Sequence, residues 1–260
     1  MLNLRDLQSI NERKPILIAH RGGVIASDAP ENSLEAIRLA SQRGYDMVEL
    51  DIMEAKDHVP VLFHSLRGTG NLYVDCGINQ SLGEFTSQEL SRITYRLSTQ
   101  RIARLSEALE LCAELELGVM LDIKGKNLSE TFLGLIAAML EENGFKTSAL
   151  TLNTAPAVKE KLEALVIFPL REEETNRVLH GKAGDLGERY YFGWGSRIDE
   201  VLIRRMHECG AFVIAAINFF HYPRHARLPL AGRDMERLLA VGVDGFQLDD
   251  EFRELVPGRP

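Results

Sequence analysis

The sequence predicts a mainly parallel α/β fold. Short apolar runs that have the composition of buried strands alternate with amphipathic, helix-like segments along almost the whole chain. This alternation is typical of parallel sheets with helical crossovers. A length of 260 residues suits one large barrel or two small domains, and the absence of any linker-like or repetitive stretch favours a single domain over residues 1–260.

Nine segments have the composition and length of strands. In chain order they are residues 16–19, 47–50, 61–63, 119–123, 149–152, 165–168, 190–192, 212–217 and 245–248. An eight-stranded barrel can include only eight of these nine segments. Residues 190–192 are therefore predicted to be either a barrel strand or a short run in a loop.

Five segments repeat apolar residues at intervals of three and four, which is the spacing of an amphipathic helix. They are residues 33–43, 105–116, 129–142, 198–209 and 234–241. The first of them follows Asn32, a residue type that caps helices well, and we expect Asn32 to be its N-cap.

The third strand candidate is flanked by two irregularities. The connection from Asp51 to Pro60 is too short for a helical crossover between parallel strands, so we expect the barrel to be distorted there. From His64 to Arg104 the chain has scattered glycines and one weak helical segment, residues 87–93. We interpret residues 65–103 as an insertion over the mouth of an active site.

Composition and charge restrict the class of protein. The hydrophobic share of 45% and the charged share of 26% are ordinary for a globular domain, and the net charge of -8 argues against general nucleic-acid binding. The first fourteen residues are too interrupted by charge for a signal peptide, and no stretch has the length of an integral membrane segment. These two observations predict a cytoplasmic location. Cys76, Cys112 and Cys209 are odd in number, lie far apart and have no CxxC spacing, which predicts reduced thiols. The oligomeric state is left open.

Polar residues suited to phosphate-ester chemistry follow the first and third strand candidates. His20 and Arg21 come directly after residues 16–19, and His64 comes after residues 61–63. The carboxyl ends of parallel strands are where α/β folds place their active sites. Two imidazoles can divide the proton transfers at a phosphoryl group, and a guanidinium can bind its oxygens. The alternative interpretation of His20 and Arg21 taken alone is a strand-to-loop turn with a hydrogen-bonded histidine.

Two pairs of residues have the spacing of two that puts side chains on one face of a strand. In the first pair, Glu49 and Asp51 would repel each other unless a proton or cation intervened, which favours a hard divalent metal ion. In the second pair, Asp122 would complete the metal site and Lys124 would contact the phosphate. The alternatives are a solvated strand end at Asp51 and a structural Asp122–Lys124 pair.

The order of these motifs resembles the glycerophosphodiester phosphodiesterase family. The motifs are IAHRGG at residues 18–23, PEN at 30–32, ELD at 49–51, FH at 63–64 and VMLDIK at 119–124. The resemblance implies a somewhat irregular TIM (β/α)8 barrel with a small insertion after the third strand. It also implies the hydrolysis of a small glycerophosphodiester to an alcohol and glycerol 3-phosphate with Mg²⁺ or Ca²⁺. By position, His20 and His64 would be catalytic, Glu49, Asp51 and Asp122 would hold the metal, and Arg21 and Lys124 would bind the substrate.

Three positions depart from the family pattern. Ser65 stands where the family usually has Asp, Asp122 stands where it usually has Glu, and Leu152-Asn153 replaces the expected Ser-Phe. A shorter carboxylate shifts a metal ion or leaves room for a water, and Ser65 removes a carboxylate that could orient His64. Two alternatives therefore stand beside hydrolysis. One is a phospholipase D-like cleavage that yields a cyclic phosphate, and the other is a phosphate-binding barrel without turnover.

Overall fold

A computed structural model describes residues 1–65 and 70–257 of the chain. The strands are β1 Ile16–Ala19, β2 Met47–Glu54, β3 Pro60–Leu62, β4 Gly118–Ile123, β5 Ala149–Thr151, β6 Phe168–Pro169, β7 Arg189–Trp194, β8 Phe212–Ile217 and β9 Gly245–Leu248. The helices are α1 Leu7–Arg13, α2 Leu34–Gln42, α3 Tyr73–Cys76, α4 Ser87–Leu90, α5 Leu105–Glu114, α6 Glu130–Glu142, α7 Pro156–Leu162, α8 Glu172–Leu179, α9 Glu200–Glu208 and α10 Arg227–Ala240. Among these helices, none is long and apolar enough to cross a membrane.

Eight of these strands form a parallel barrel. Their hydrogen-bonded order is β5-β4-β2-β1-β9-β8-β7-β6. The ring closes where Leu150 of β5 pairs in parallel with Ile167, the residue before β6. The Thr151 N–H donates to the Ile167 carbonyl at 3.2 Å, and the Ile167 N–H donates to the Ala149 carbonyl at 2.9 Å. The predicted irregular TIM barrel is thereby confirmed.

The surplus strand is β3 rather than the segment at residues 190–192. β3 runs antiparallel to β2, with Val61 opposite Met53, so it forms a hairpin and takes no place in the ring. The prediction that residues 61–63 belong with the parallel strands is therefore wrong. The short connection after Asp51 has a simple physical reason, because antiparallel neighbours need only a tight turn and no helical crossover. β7 lies within the ring, between β6 and β8.

The segment that follows β3 has a small hydrophobic cluster of its own. Leu72, Leu82 and Leu90 pack there with Phe63 and Tyr95, apart from the clusters of the barrel. Residues 66–69, which fall within the predicted insertion, lie outside the described residues. The segment contains α3 and α4 and leads into α5.

The barrel interior is apolar at one end and polar at the other. Ile18, Met47, Met120 and Ile214 fill it together with Tyr190. Leu2, Leu4 and Ile10 belong to the same cluster and cover the amino-terminal end of the strands. Because side chains on one face of a strand alternate with a period of two, the inward-facing residues that follow these apolar ones lie at the carboxyl end. There they include Glu49, Asp51 and Asp122.

Candidate active site

Three carboxylates meet at the carboxyl end of the barrel. Glu49 and Asp51 share the inner face of β2, and Asp51 lies opposite Asp122 of β4 in the sheet register. One carboxylate oxygen of each residue lies within 4.8 Å of the others. Glu49 and Asp51 are only 1% and 2% exposed. The spacing of two in the sequence thus predicted their common face correctly.

The charge of this cluster is poorly balanced. Burial raises the pKa of Glu49 well above its usual value, and the charges of Asp51 and Asp122 raise it further. Burial also raises the pKa of Asp122, although Lys124 opposes the shift. Lys124 Nζ lies 2.8 Å from Asp51 and also contacts Asp122. One ammonium against three carboxylates leaves a negative excess, and an all-oxygen donor set with such an excess fits a hard divalent cation.

His20 is held by Asp249, a carboxylate outside the motifs that the sequence analysis singles out. Its Nδ1 lies 2.7 Å from Asp249 Oδ1, and the other oxygen of Asp249 accepts a hydrogen bond from the Phe219 N–H at 2.6 Å. An ionised carboxylate only accepts hydrogen bonds, so Nδ1 carries the proton and Nε2 is left as the basic nitrogen. Asp249 therefore sets the tautomer and orientation of the imidazole.

His64 is held in a similar way by Glu31. His64 Nδ1 lies 3.2 Å from Glu31 Oε1, and Glu31 Oε2 accepts a hydrogen bond from Arg21 Nη1 at 2.9 Å. Ser65, the position at which an orienting carboxylate is missing, has its Oγ bound to the Gly70 N–H at 2.7 Å. The carboxylate beside His64 therefore comes from Glu31, which links this histidine to Arg21.

The chain between β1 and α2 is tightly folded around the carboxylates. Arg21 has a positive φ of 55°, and its N–H donates to Glu49 Oε2 at 2.7 Å. A Cβ on Gly22 would lie 2.6 Å from Asn32 Cα, and one on Gly23 would lie 2.1 Å from the Ala36 carbonyl oxygen. Glycine is therefore required at both positions because the start of α2 comes so close.

Asn32 does not cap α2, and that prediction is wrong. Ser33 is the N-cap, with its side chain accepting a hydrogen bond from the Ala36 N–H at 3.2 Å. The Asn32 amide instead bridges to Asp51: Nδ2 donates to Oδ2 at 2.9 Å, and Oδ1 accepts from the Asp51 N–H at 3.0 Å. This pairing requires the side chain to point into the barrel, away from the helix end.

All seven predicted site residues line one cavity of about 220 Å³, namely His20, Arg21, Glu49, Asp51, His64, Asp122 and Lys124. The rest of its lining is uncharged or aromatic and comes mostly from β7, β8, β9 and the residues that follow β8. These residues are Leu152, Phe192, Trp194, Ala216, Asn218, Phe220, His221 and Gln247. The cavity thus has a charged side and a neutral side.

The residues that sequence reasoning missed lie mainly after β8 and on β9. Asn218 and Gln247 contribute buried amides, and Asp249 holds His20. A signal for two of them was present, because GVDGFQLD at residues 242–249 matches the pattern of GYDMVELD at residues 44–51. This match puts Gln247 and Asp249 at the positions of Glu49 and Asp51.

The sequence matches the Glycerophosphoryl diester phosphodiesterase family over residues 20–251. The chain belongs to this family. Mouse (Mus musculus) glycerophosphodiester phosphodiesterase 1 is 36% identical over 129 residues, which are 46% of this chain and 38% of the mouse protein. The human protein of the same name matches to the same extent. The chain thus spans well under half the length of these curated relatives.

Solved structures of the family share the fold over nearly the whole chain. A phosphodiesterase from Oleispira antarctica, solved in complex with the product sn-glycerol-3-phosphate, superposes with a TM-score of 0.70 at 20% identity. The match covers 95% of this chain and 97% of that chain. A glycerophosphoryl diester phosphodiesterase from Parabacteroides distasonis gives a TM-score of 0.69 at 19% identity, covering 98% and 93%.

Proposed function

We propose that this chain hydrolyses glycerophosphodiesters to an alcohol and glycerol 3-phosphate with the help of a divalent cation. The observation that carries the proposal is one cavity that joins three clustered carboxylates, two imidazoles and two cationic side chains. Membership of the phosphodiesterase family supports the reaction type. The product bound to the Oleispira neighbour supports a small phosphodiester as the substrate.

Glu49, Asp51 and Asp122 would hold the cation, Mg²⁺ or Ca²⁺, because their oxygens are the ligands that both ions prefer. When bound, the cation would neutralise charge on the phosphate and stabilise the charge that develops during reaction. Arg21 and Lys124 would bind the remaining phosphate oxygens. Both now contact carboxylates, Arg21 with Glu31 and Lys124 with Asp51, so an arriving phosphate would compete for them.

His20 and His64 would divide the proton transfers. Each has its Nδ1 beside a carboxylate, which leaves its Nε2 available to take a proton from the attacking water or to return one to the leaving alcohol. Asp249 and Glu31 would hold the two rings in place during these steps. Charge-assisted hydrogen bonds of this kind are stronger than neutral ones and fix geometry.

The test is a panel of glycerophosphodiesters assayed with Mg²⁺, with Ca²⁺ and with excess chelator, with the products followed by phosphorus NMR. We expect glycerol 3-phosphate to form only when a cation is present. A cyclic phosphate product would instead indicate internal attack by a substrate hydroxyl. Binding of the substrates by a folded protein without any turnover would identify a phosphate-binding barrel.

A further inference from the structure

The neutral side of the catalytic cavity contains a buried amide that lacks a hydrogen-bond acceptor. Asn218 directly follows β8 and is 2% exposed. Its Nδ2 is buried, and no atom within residues 1–65 and 70–257 accepts a hydrogen bond from it. Unpaired buried donors are rare in folded proteins because they lose their water without gaining a partner. Asn218 therefore has an amide available for a ligand.

Two other asparagines at this end of the barrel are fully engaged. The Asn32 amide is bound to Asp51 through both its nitrogen and its oxygen. Asn153 Nδ2 donates to the Ile123 carbonyl at 2.7 Å, and its Oδ1 accepts from the Ala155 N–H at 2.9 Å. Asn218 differs from both, although it too lies at a strand end.

A second buried amide lies on the neighbouring strand. Gln247 is 3% exposed and pairs with Ala216, two residues before Asn218. Its Nε2 has only a long contact of 3.9 Å with Met120 Sδ in the described part of the chain. Sulfur is a weak acceptor, so this amide also keeps most of its hydrogen-bonding capacity. The neutral side thus offers two adjacent amides.

The Trp194 ring beside these amides does not form a site for a cation. The Arg197 guanidinium lies 4.2 Å from its ring centroid. This contact already uses a ring face that a quaternary ammonium would need. The guanidinium would also repel a cationic head group, so the chemistry around Trp194 favours an uncharged polar group.

We propose that Asn218, with Gln247 beside it, binds the free hydroxyl groups of the glycerol moiety. An amide both donates and accepts hydrogen bonds, as a hydroxyl does, whereas a phosphate oxygen only accepts and has Arg21 and Lys124 available. The inference rests on the proposed function, because the charged side must bind the phosphate for the glycerol to reach the neutral side. Asn218 would then determine specificity for hydroxyl-bearing substrates.

The test compares the binding of glycerol 3-phosphate with that of inorganic phosphate, by titration calorimetry in Mg²⁺ buffer. We expect the wild-type protein to bind glycerol 3-phosphate more tightly than phosphate. Asn218→Leu should weaken glycerol 3-phosphate binding roughly 3- to 10-fold, the usual effect of one hydrogen bond, and leave phosphate binding unchanged. An equal loss for both ligands would assign the amide to phosphate, and no loss for either would remove Asn218 from the site.

Thermal unfolding separates a ligand-binding role from a structural one. Asn218→Leu replaces an unpaired buried donor with an apolar group of similar size, so the free protein should unfold at the same or a higher temperature. Asn153→Ala is the matched control, and it should lower the unfolding temperature while keeping the preference for glycerol 3-phosphate. A lower unfolding temperature for Asn218→Leu, with the preference intact, would make Asn218 structural and overturn the proposal.

Asn218→Ala provides the same binding comparison without a larger side chain, should leucine prevent folding. The binding site and the proposed reaction can also be tested separately. A preference for glycerol 3-phosphate that depends on Asn218, in a protein without turnover, would contradict the proposed hydrolysis and support the binding site. Turnover with the preference unchanged in Asn218→Ala would contradict the binding site alone.

Discussion

His20 Nδ1 and Asp249 Oδ1 lie 2.7 Å apart, and this pair predicts a defined kinetic effect. Asp249→Asn keeps the shape of the side chain but can present an N–H to Nδ1, which favours the wrong tautomer of His20. We expect kcat/KM to fall at least about 10-fold, and His20→Ala to lower it roughly 100-fold or more, the scale of a lost general acid or base. The double variant should be no slower than His20→Ala, because Asp249 acts through the imidazole.

Asp250→Asn is the matched control for this prediction. The Asp250 carboxylate pairs with Arg43 at 2.6 Å and accepts a hydrogen bond from the Tyr45 hydroxyl at 3.3 Å. It is the neighbour of Asp249 in the chain, so both variants remove one negative charge from the same segment. Steady-state kinetics should give wild-type rates for Asp250→Asn. Equal losses in both variants would indicate a general charge effect instead.

Asp122 tests the metal site and the departure from the family pattern together. Asp122→Ala removes one of three clustered carboxylates, so the affinity for Mg²⁺ or Ca²⁺ and the activity should both fall while the barrel stays folded. Asp122→Glu restores the usual family side chain and should still bind the cation. Titration calorimetry decides between the two roles: unchanged cation affinity in folded Asp122→Ala would mean that Asp122 serves only to pair with Lys124.

At the scale of elements, two pairs of neighbouring strands are each joined by the side chain of an aspartate at the amino end of the barrel. Asp46, before β2, accepts a hydrogen bond from the Leu17 N–H of β1 at 2.9 Å, and Asp244, before β9, accepts one from the Val213 N–H of β8 at 2.7 Å. These are the aspartates of the matching GYDMVELD and GVDGFQLD segments. The match therefore reflects one way of joining neighbouring strands, used twice.

Asp244→Ala should destabilise the fold without affecting the catalysed reaction. Asp244 is buried and also pairs with Lys14 at 2.5 Å and with His207 at 2.7 Å, so its loss leaves the Val213 N–H and the Lys14 ammonium unpaired. We expect a loss of about 3 kcal/mol in the free energy of unfolding, measured with urea. Glu208→Ala removes only exposed ion pairs and should cost less than about 1 kcal/mol. If the free energy of unfolding falls no more in Asp244→Ala than in Glu208→Ala, Asp244 does not have this role.

Glu107 connects the end of the predicted insertion to α5 and gives that connection a pH dependence. Both carboxylate oxygens bind Arg101, at 2.6 and 3.1 Å, and the Arg104 N–H donates to Oε2 at 2.9 Å. The bonds from Arg101 lower the pKa of Glu107 below its usual value. A carboxylate with a lowered pKa contributes stability above its unfolded pKa, about 4.3 for Glu, and this contribution is lost as the pH falls through the folded pKa.

Glu107→Gln should therefore be less stable than the wild-type protein at neutral pH. The difference in the free energy of unfolding should stay constant above about pH 5 and shrink as the pH falls below about 4. Urea unfolding at a series of pH values measures it. If the difference in stability between the two proteins grows as the pH falls, its pH dependence has the opposite sign and the ion pair is not its cause.

At the scale of the whole molecule, the elements predicted from the sequence are those that bury a regular apolar pattern. The helices that were not predicted bury little: α8 begins with three glutamates and buries only Val178, and α1 buries only Ile10. Segments with so few apolar residues offer too few positions at which a helical repeat can be recognised. The three-residue run of β3 has no signal of its own that separates parallel from antiparallel pairing. The signal for its direction lay in the short connection after Asp51, which was interpreted as a distortion of the barrel.

The charged and neutral sides of the cavity also differ in how well the sequence predicts their residues. His20, Glu49 and Asp122 could be found because each lies on or directly after an apolar run and joins a recognisable motif. The pairing of His20 with Asp249 spans 229 positions of the chain and exists only because β9 pairs with β1 in the ring. Asn218 belongs to no such motif and could not be assigned from the sequence, whereas Gln247 and Asp249 had a signal only in the match of residues 242–249 to residues 44–51.

The unbalanced charge of the carboxylate cluster should lower the stability of the barrel when no cation is bound. Three carboxylates share a site with a single ammonium, and burial and mutual repulsion raise the pKa of Glu49. With chelator present, Glu49→Gln should therefore raise the unfolding temperature, since an amide still accepts the hydrogen bond from the Arg21 N–H without the charge. Each kcal/mol gained corresponds to about 2–4 °C for a domain of this size.

Added cation should reverse this order of stability between the wild-type protein and Glu49→Gln. Mg²⁺ or Ca²⁺ at about 100 times its dissociation constant adds about 2.7 kcal/mol to the stability of the wild-type protein and much less to that of the variant. Scanning calorimetry with chelator and with each cation measures both effects, and a Glu49→Gln protein that is less stable than the wild type in chelator would show that the cluster is structural.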